Sequence, residues 1–183
     1  MSDISLNESD EVTIADSAGV NKLTVNSDGS TNAFVIIDSL LNKLYSLSLS
    51  FNLPSNGTET RVILIKNPNA SGKILKLEYM LFAGSGPTIR IYADPTITTN
   101  GTAVTPVATN VGNATASVIT PFTSPTISAN GSQILADILS NQTASRIDMR
   151  HLITVAENNN MLITGQPTSN NTLIQITLVW AEI

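Results

Sequence analysis

No cysteine occurs in this chain of 183 residues. That removes disulfides, thiolate nucleophiles and the common structural zinc sites together. It leaves the compartment open, because a cysteine-free chain is indifferent to redox state. Histidine is almost as scarce: His151 is the only one. Charged residues make up 13% of the chain, about half of the usual ~25%. Asn, Ser and Thr fill the gap. A lone soluble domain keeps a heavily charged surface. A neutral surface of hydroxyls and amides suits a protein packed in an assembly or outside a cell, or else reflects drift in a stable β protein. Acids outnumber bases 14 to 9, for a net charge of −5. With no basic stripe, nucleic acid is not expected as a partner. Aromatics are 4%, few for a surface that stacks on sugar rings. No run of eighteen apolar residues exists, so no membrane-spanning helix is expected. The start, MSDISLNESDEVTIAD, lacks the basic and apolar stretches of a signal peptide. A chain of this kind that reaches the outside would leave by another route, such as cell lysis.

What is present forms strands. Arg61 to Lys66 is a short apolar, β-branched run; Ile74 to Phe82 and Thr88 to Tyr92 follow. Asn67-Pro68-Asn69-Ala70-Ser71-Gly72 and Gly84-Ser85-Gly86-Pro87 separate them with the residues that turns need. Three strands in about 35 residues, joined by tight turns, make an antiparallel meander. Leu75, Leu77, Tyr79 and Leu81 share one parity, which predicts a single buried face. Tyr45, Leu47, Leu49 and Phe51 alternate with serines, predicting a strand over 44–52 after a short helix or turn near 36–42. Downstream, Gln133 to Leu139, Ser145 to Val155, Met161 to Thr164 and Leu173 to Ile183 read as further strands. In the last of these Ile174, Ile176, Leu178 and Trp180 lie on one face. From Pro95 to Ala136 no charged residue occurs in 42 positions. Four prolines there oppose a helix, which predicts long loops with short edge strands. These either form a contact surface or lie over the core.

About eight strands predict an all-β fold, a jelly-roll-like antiparallel β-sandwich over 33–183. Residues 1–32 differ. Asp3, Glu8, Asp10, Glu11 and Asp16 are five acids with no base in the first sixteen positions. Two short strand-like runs, Val12–Ile14 and Lys22–Val25, make this an extended N-terminal arm, suited to strand addition on its own sheet or a neighbour's.

Candidate chemistry is thin. His151 shares a parity with Met149 and Ile153, and no G-x-S-x-G elbow frames a serine; a hydrogen-bonded structural histidine is the expectation. Glu59, Glu78, Asp94 and Asp137 are the acids whose convergence a glycoside hydrolase would need. Scattered acids are more often solvated surface. Eight N-x-S/T sequons, at Asn7, Asn56, Asn69, Asn100, Asn113, Asn130, Asn141 and Asn170, read as turn chemistry. No metal, cofactor or catalytic residue is expected. Arg146, Asp148 and Arg150 alternate along one strand face as an Arg–Asp–Arg ladder. Either the ladder is exposed and contributes ~0–1 kcal/mol, or it is a subunit contact in which arginine forks onto a partner's carboxylate.

Several stretches resemble small virion structural proteins of tailed bacteriophages: Ile65-Lys66-Asn67-Pro68, Ser71-Gly72-Lys73-Ile74-Leu75, and Arg90-Ile91-Tyr92 with Pro95. So do Asn100-Gly101-Thr102 with Thr105-Pro106-Val107, Thr123 to Gly131, and Pro167 to Asn171 before a strand ending in Trp180 and Glu182. The resemblance spans roughly residues 45–183. It implies an oligomeric β-sandwich of the particle, assembled in the host cytoplasm. Its partner would be the major capsid protein or another virion protein. The expected role is a homotrimeric capsid decoration protein, non-enzymatic, with no nucleic-acid or membrane partner. The alternative is a tail- or fibre-associated receptor- or carbohydrate-binding module.

Overall fold

A computed structural model describes residues 11–16, 19–25, 31–32, 43–54, 56–84, 86–109, 115–138, 145–149 and 152–183. The expected helix or turn near 36–42, Arg150 and His151 lie outside them. Near the N-terminus, β1 (Glu11–Asp16), β2 (Gly19–Val25) and β3 (Thr31–Asn32) pair with one another in a small antiparallel sheet.

The rest is a β-sandwich of two large antiparallel sheets. Sheet I runs β10 (Val107–Ala108), β4 (Leu44–Leu53), β17 (Thr172–Glu182), β6 (Leu75–Gly84), β14 (Ser145–Asp148), with β15 (Thr154–Val155) also on β6. Sheet II runs β13 (Ser132–Ile138), β7 (Thr88–Ala93), β16 (Asn160–Gln166), β5 (Thr60–Lys66), β11 (Thr120–Thr123), β9 (Thr102–Ala103). The strand β17 is central, pairing with β4 on one side and β6 on the other, and its Ile174, Ile176, Leu178 and Trp180 are fully buried. Burying one such side chain contributes roughly 1.5–3 kcal/mol. Tyr45 stacks on Trp180 with ring centroids 6.1 Å apart. From sheet II, Ile63, Ile65, Ile89, Ile91, Met161 and Ile163 close the core. The turn after β5 is closed by buried Asn67, whose amide donates to the carbonyls of Lys73 (2.7 Å) and Val155 (3.0 Å).

Two expectations change in detail. The residues Leu75, Leu77, Tyr79 and Leu81 do not share a face. The ladder with β17 pairs Val179 with Tyr79 and then Trp180 with Leu77, so Glu78 is an extra residue. Such a bulge inverts the alternation: Leu75 and Leu77 point inward before it, Met80 and Phe82 after it. Opposite this bulge the single strand expected over 145–155 is two short ones, β14 and β15. Between them, the Met149 N–H bonds to the Glu78 carbonyl and the Leu77 N–H to the Ile153 carbonyl. A second bulge lies in β5, where Ile163 pairs with Ile63 and Thr164 with Arg61. Val62 is left over and joins Ile63 in the core, and Glu59 and Arg61 fall on the outer face.

The uncharged 95–136 stretch does form short strands, and part of it crosses the outside of sheet II. There β8 (Thr96–Thr99) and β12 (Thr126–Ala129) pair, among the described residues, only with each other. Ile97 and Ile127 pack against Tyr92 and Leu162, a second small apolar cluster on the outer side of the sheet. The chain leaves β7 into β8, returns to the opposite edge of the sheet in β9 and β11, and comes back through β12 into β13. The result is a two-stranded strap anchored at both sheet edges.

Candidate interaction surfaces

The strap is built from a repeat. Pro95-Thr96-Ile97-Thr98-Thr99-Asn100-Gly101 and Pro125-Thr126-Ile127-Ser128-Ala129-Asn130-Gly131 agree at Pro, Thr, Ile, Asn and Gly. The corners match too. Asp94 and Ser124, before the prolines, have φ of 51° and 52°; Gly101 and Gly131 have φ of 87° and 88°. A Cβ on Gly101 would lie 2.1 Å from the Thr123 carbonyl oxygen, and one on Gly131 2.0 Å from that of Ala93. Only glycine permits these crossings.

Each repeat asparagine receives a cation from β5. Lys66 Nζ donates to Asn100 Oδ1 at 3.1 Å, and Arg61 Nε to Asn130 Oδ1 at 3.1 Å. The second junction also holds an anion. Glu59 accepts from Thr164 Oγ1 at 2.6 Å, Tyr92 OH at 2.8 Å, Asn130 Nδ2 at 3.1 Å and Arg90 at 3.4 Å. Burial pushes the Glu59 carboxyl up, but the Thr164 and Tyr92 hydroxyls and the Arg90 guanidinium outweigh it and hold the group below its ordinary value. Burial of the Tyr92 phenol, and after it the Glu59 carboxylate, raise that phenol. This network ties the strap to β5, β7 and β16. Its residues carry no special spacing in the chain; the signal that points to it is the repeat, thirty residues apart, with asparagine at the same place in each copy.

A buried carboxylate, Glu182, ends β17. Glu182 accepts from the Ser117 hydroxyl, from the Val118 N–H at 3.0 Å and from Trp180 Nε1 at 3.2 Å. Tyr45 OH donates to the Thr115 carbonyl at 3.1 Å, and its phenol is raised by burial and by the Glu182 charge. Together these clamp 115–119 onto the end of the sandwich.

The outer face of sheet I has no strap among the described residues. Ser46, Ser48, Ser50 and Asn52 point out from β4, and Gln175 and Thr177 from β17. Ser48 and Thr177 share a 2.8 Å hydrogen bond. On the far side, Arg146 and Asp148 project together as the alternation predicts. Arg146 Nε donates to Asp148 Oδ1 at 2.7 Å, and its guanidinium lies 4.4 Å from the centre of the Tyr79 ring. Both side chains are about half exposed. The third member of the ladder, Arg150, is outside the described residues, as is His151.

The four acids weighed for hydrolysis do not gather. Glu59 precedes β5 in sheet II, Glu78 is the bulge of β6 in sheet I, Asp94 turns the corner after β7 and Asp137 lies in β13. Among the described residues no group of three or more His, Asp or Glu is placed to hold a metal ion. A hollow of about 110 Å³ beside Asp94 and Met161 is well below the ~300–1,000 Å³ of ordinary ligand pockets.

No family model matches the chain, and no curated protein matches it. Among solved structures, a chain in the structure of the infectious bursal disease virus Gx strain is similar at 16% identity over 78% of this chain, with a TM-score of 0.14. The match spans 40% of that chain's length. A superposition that poor carries no structural argument.

Proposed function

We propose that the chain is a non-enzymatic structural protein of a tailed-phage virion, a jelly roll that decorates the capsid and stabilises it through subunit contacts. The support for a jelly roll is strand order. Numbering β4, β5, β6, β7, β13, β14, β16 and β17 from one to eight, sheet I reads 1-8-3-6 and sheet II 5-4-7-2. A hairpin rolled up as two Greek keys produces this order.

The observation that carries the assembly reading is the near-absence of charge on the uncovered surfaces. The outer face of sheet I offers serines, threonine, amides and the exposed Leu173 around the Arg146–Asp148 pair, with Lys76 and Glu78 the other charged residues of its β6. The strap turns Thr96, Thr98, Thr126 and Ser128 outward, all exposed. Interface cores are depleted of charge because ions are costly to desolvate. Surfaces of this kind bind a neighbour at low desolvation cost, and repetition on a particle converts weak contacts into a durable coat. The partner is the major capsid protein or another virion protein. The subunits form a homo-oligomer, and the 1–32 arm anchors by strand addition.

The tail-associated carbohydrate-binding alternative has one observation in its favour, Tyr79 on an outer face. That ring is already covered by Arg146. Immunogold electron microscopy of intact particles, with antibody to this chain, separates the readings. Label over the head supports decoration, label at the tail tip overturns it, and unlabelled particles overturn the virion assignment.

A further inference from the structure

We infer that the free edge of β4 pairs with the β4 edge of a second copy, antiparallel about a two-fold axis at Ser50. The inference does not depend on the virion reading, and it sets an even-numbered assembly against the homotrimer that the resemblance implies. Four observations carry it.

The edge is open. Among the described residues, β10 pairs only with Tyr45 and Ser46, and beyond Ser46 nothing pairs with this side of β4. The Leu44 carbonyl faces β10, accepting from Thr109, whereas the Lys43 carbonyl faces β17, accepting from Glu182. The alternation continues without a register shift through the β4–β17 ladder. Ser48, Ser50 and Asn52 therefore turn their N–H and C=O groups toward the open side.

The edge is also unguarded. Natural edge strands are blunted by charge, proline, bulges or shortness. The other edges here follow that rule: β14 carries Arg146 and Asp148, β13 has Asp137 and an extra residue at Ile134, and β9 is two residues long. From Leu44 to Leu53 there is no charge, proline or bulge.

The core is incomplete beside it. Leu49 and Phe51 point inward but are only partly buried, so an added strand would finish covering them.

The pattern is self-complementary. Centred on Ser50, the pairing sets Ser50 against Ser50, Ser48 against Asn52, Leu49 against Phe51, and Leu47 against Leu53. Polar residues meet polar ones on the outer face, and apolar residues meet apolar ones on the core face. No like charges are brought together. Residues 48, 50 and 52 of both copies would exchange about six backbone hydrogen bonds. A one-residue slip would oppose each outward residue to an inward one, so the register is specified.

The absence of cysteine makes the test clean. Opposed residues in an antiparallel pair have Cα atoms about 5.5 Å apart, within the reach of a disulfide. The variant S50C, mildly oxidised, is expected to run as a covalent dimer on a non-reducing gel. S48C, whose symmetry mate lies four residues away along the strand, is expected to stay monomeric there. Independently, unmodified protein measured by size-exclusion chromatography with multi-angle light scattering is expected to show two chains of 19.4 kDa each, or another even number. S50K, which opposes two ammonium groups at the axis, halves that mass while leaving the folded circular dichroism spectrum unchanged. A mass of one or three chains, or an even-numbered assembly that S50K leaves intact and S50C does not cross-link, overturns the inference. Occupation of the edge by the N-terminal arm would likewise leave S50C without a cross-link.

Discussion

Replacing Glu59 with Gln tests whether the strap is held by charge. The carboxylate gathers four donors from three places: Thr164 on β16, Tyr92 and Arg90 on β7, and Asn130 at the end of β12. Thr164 is fully buried, so its hydroxyl has no water to turn to. Glutamine keeps the shape but loses the charge and turns one amide NH₂ toward another donor. Charge-assisted hydrogen bonds contribute ~1.5–3 kcal/mol each, and one buried group left unsatisfied costs ~1–3 kcal/mol. Because Glu59 and Arg90 are about a quarter exposed, the pair is screened and adds little. A net loss of about 2 kcal/mol is expected, a drop of roughly 4–8 °C in Tm for a domain of this size. The pH dependence gives a second reading. The folded Glu59 titrates below its ordinary value, so its contribution is complete above the unfolded value of about 4.5. It is lost as pH falls through the folded value. Urea unfolding of both proteins at neutral pH and at steps below pH 4.5 should show a gap that narrows with acid. Equal stability at neutral pH, or a gap that persists undiminished in acid, would refute the charge argument.

The glycine corners yield a paired test. G131A sets a Cβ against the Ala93 carbonyl at 2.0 Å, while G57A, at φ 71°, meets nothing within 4 Å. Both carry backbone strain of ~1–2 kcal/mol, so thermal unfolding should show G131A as clearly the worse of the two. W180A removes the largest fully buried side chain and leaves Glu182 without its indole donor. It should cost roughly 3–5 kcal/mol, measured by urea unfolding; a loss below 1 kcal/mol would contradict the packing described. R146A, by contrast, breaks an exposed ion pair and a ring contact. Its expected effect on unfolding is ~0–1 kcal/mol, and a larger one would mean that the pair does more than decorate the surface.

The main strands were legible because their cause is local. In β4, β7 and β17 apolar residues at period two, and in β5 a continuous β-branched run, bounded by turn residues, bury a face whatever it packs against. The β17 quartet Ile174, Ile176, Leu178 and Trp180 needed only its own alternation, and Tyr45, Leu47, Leu49 and Phe51 needed only their serines. In β6 the same reasoning misplaces Tyr79 and Leu81. A bulge is chosen by the partner strand as much as by its own residues, and Glu78 carries no mark of it. The acids Glu59, Glu78, Asp94 and Asp137 show the same limit, since nothing in their spacing says which sheet each one joins.

Composition and periodicity by themselves determined that this chain is an all-β protein with a low-charge surface, because burial patterns and charge counts are properties of the residues alone. Only tertiary structure decided that a repeat thirty residues apart becomes a strap over sheet II, that Glu59 meets Thr164 and Asn130 beneath it, and that among the described residues the edge of β4 beyond Ser46 is left unpaired. Those contacts join residues 71 and 105 positions apart. Long-range closure of this kind follows from which edges and faces remain after the strands have paired, a choice made by the whole sandwich and written in no single segment.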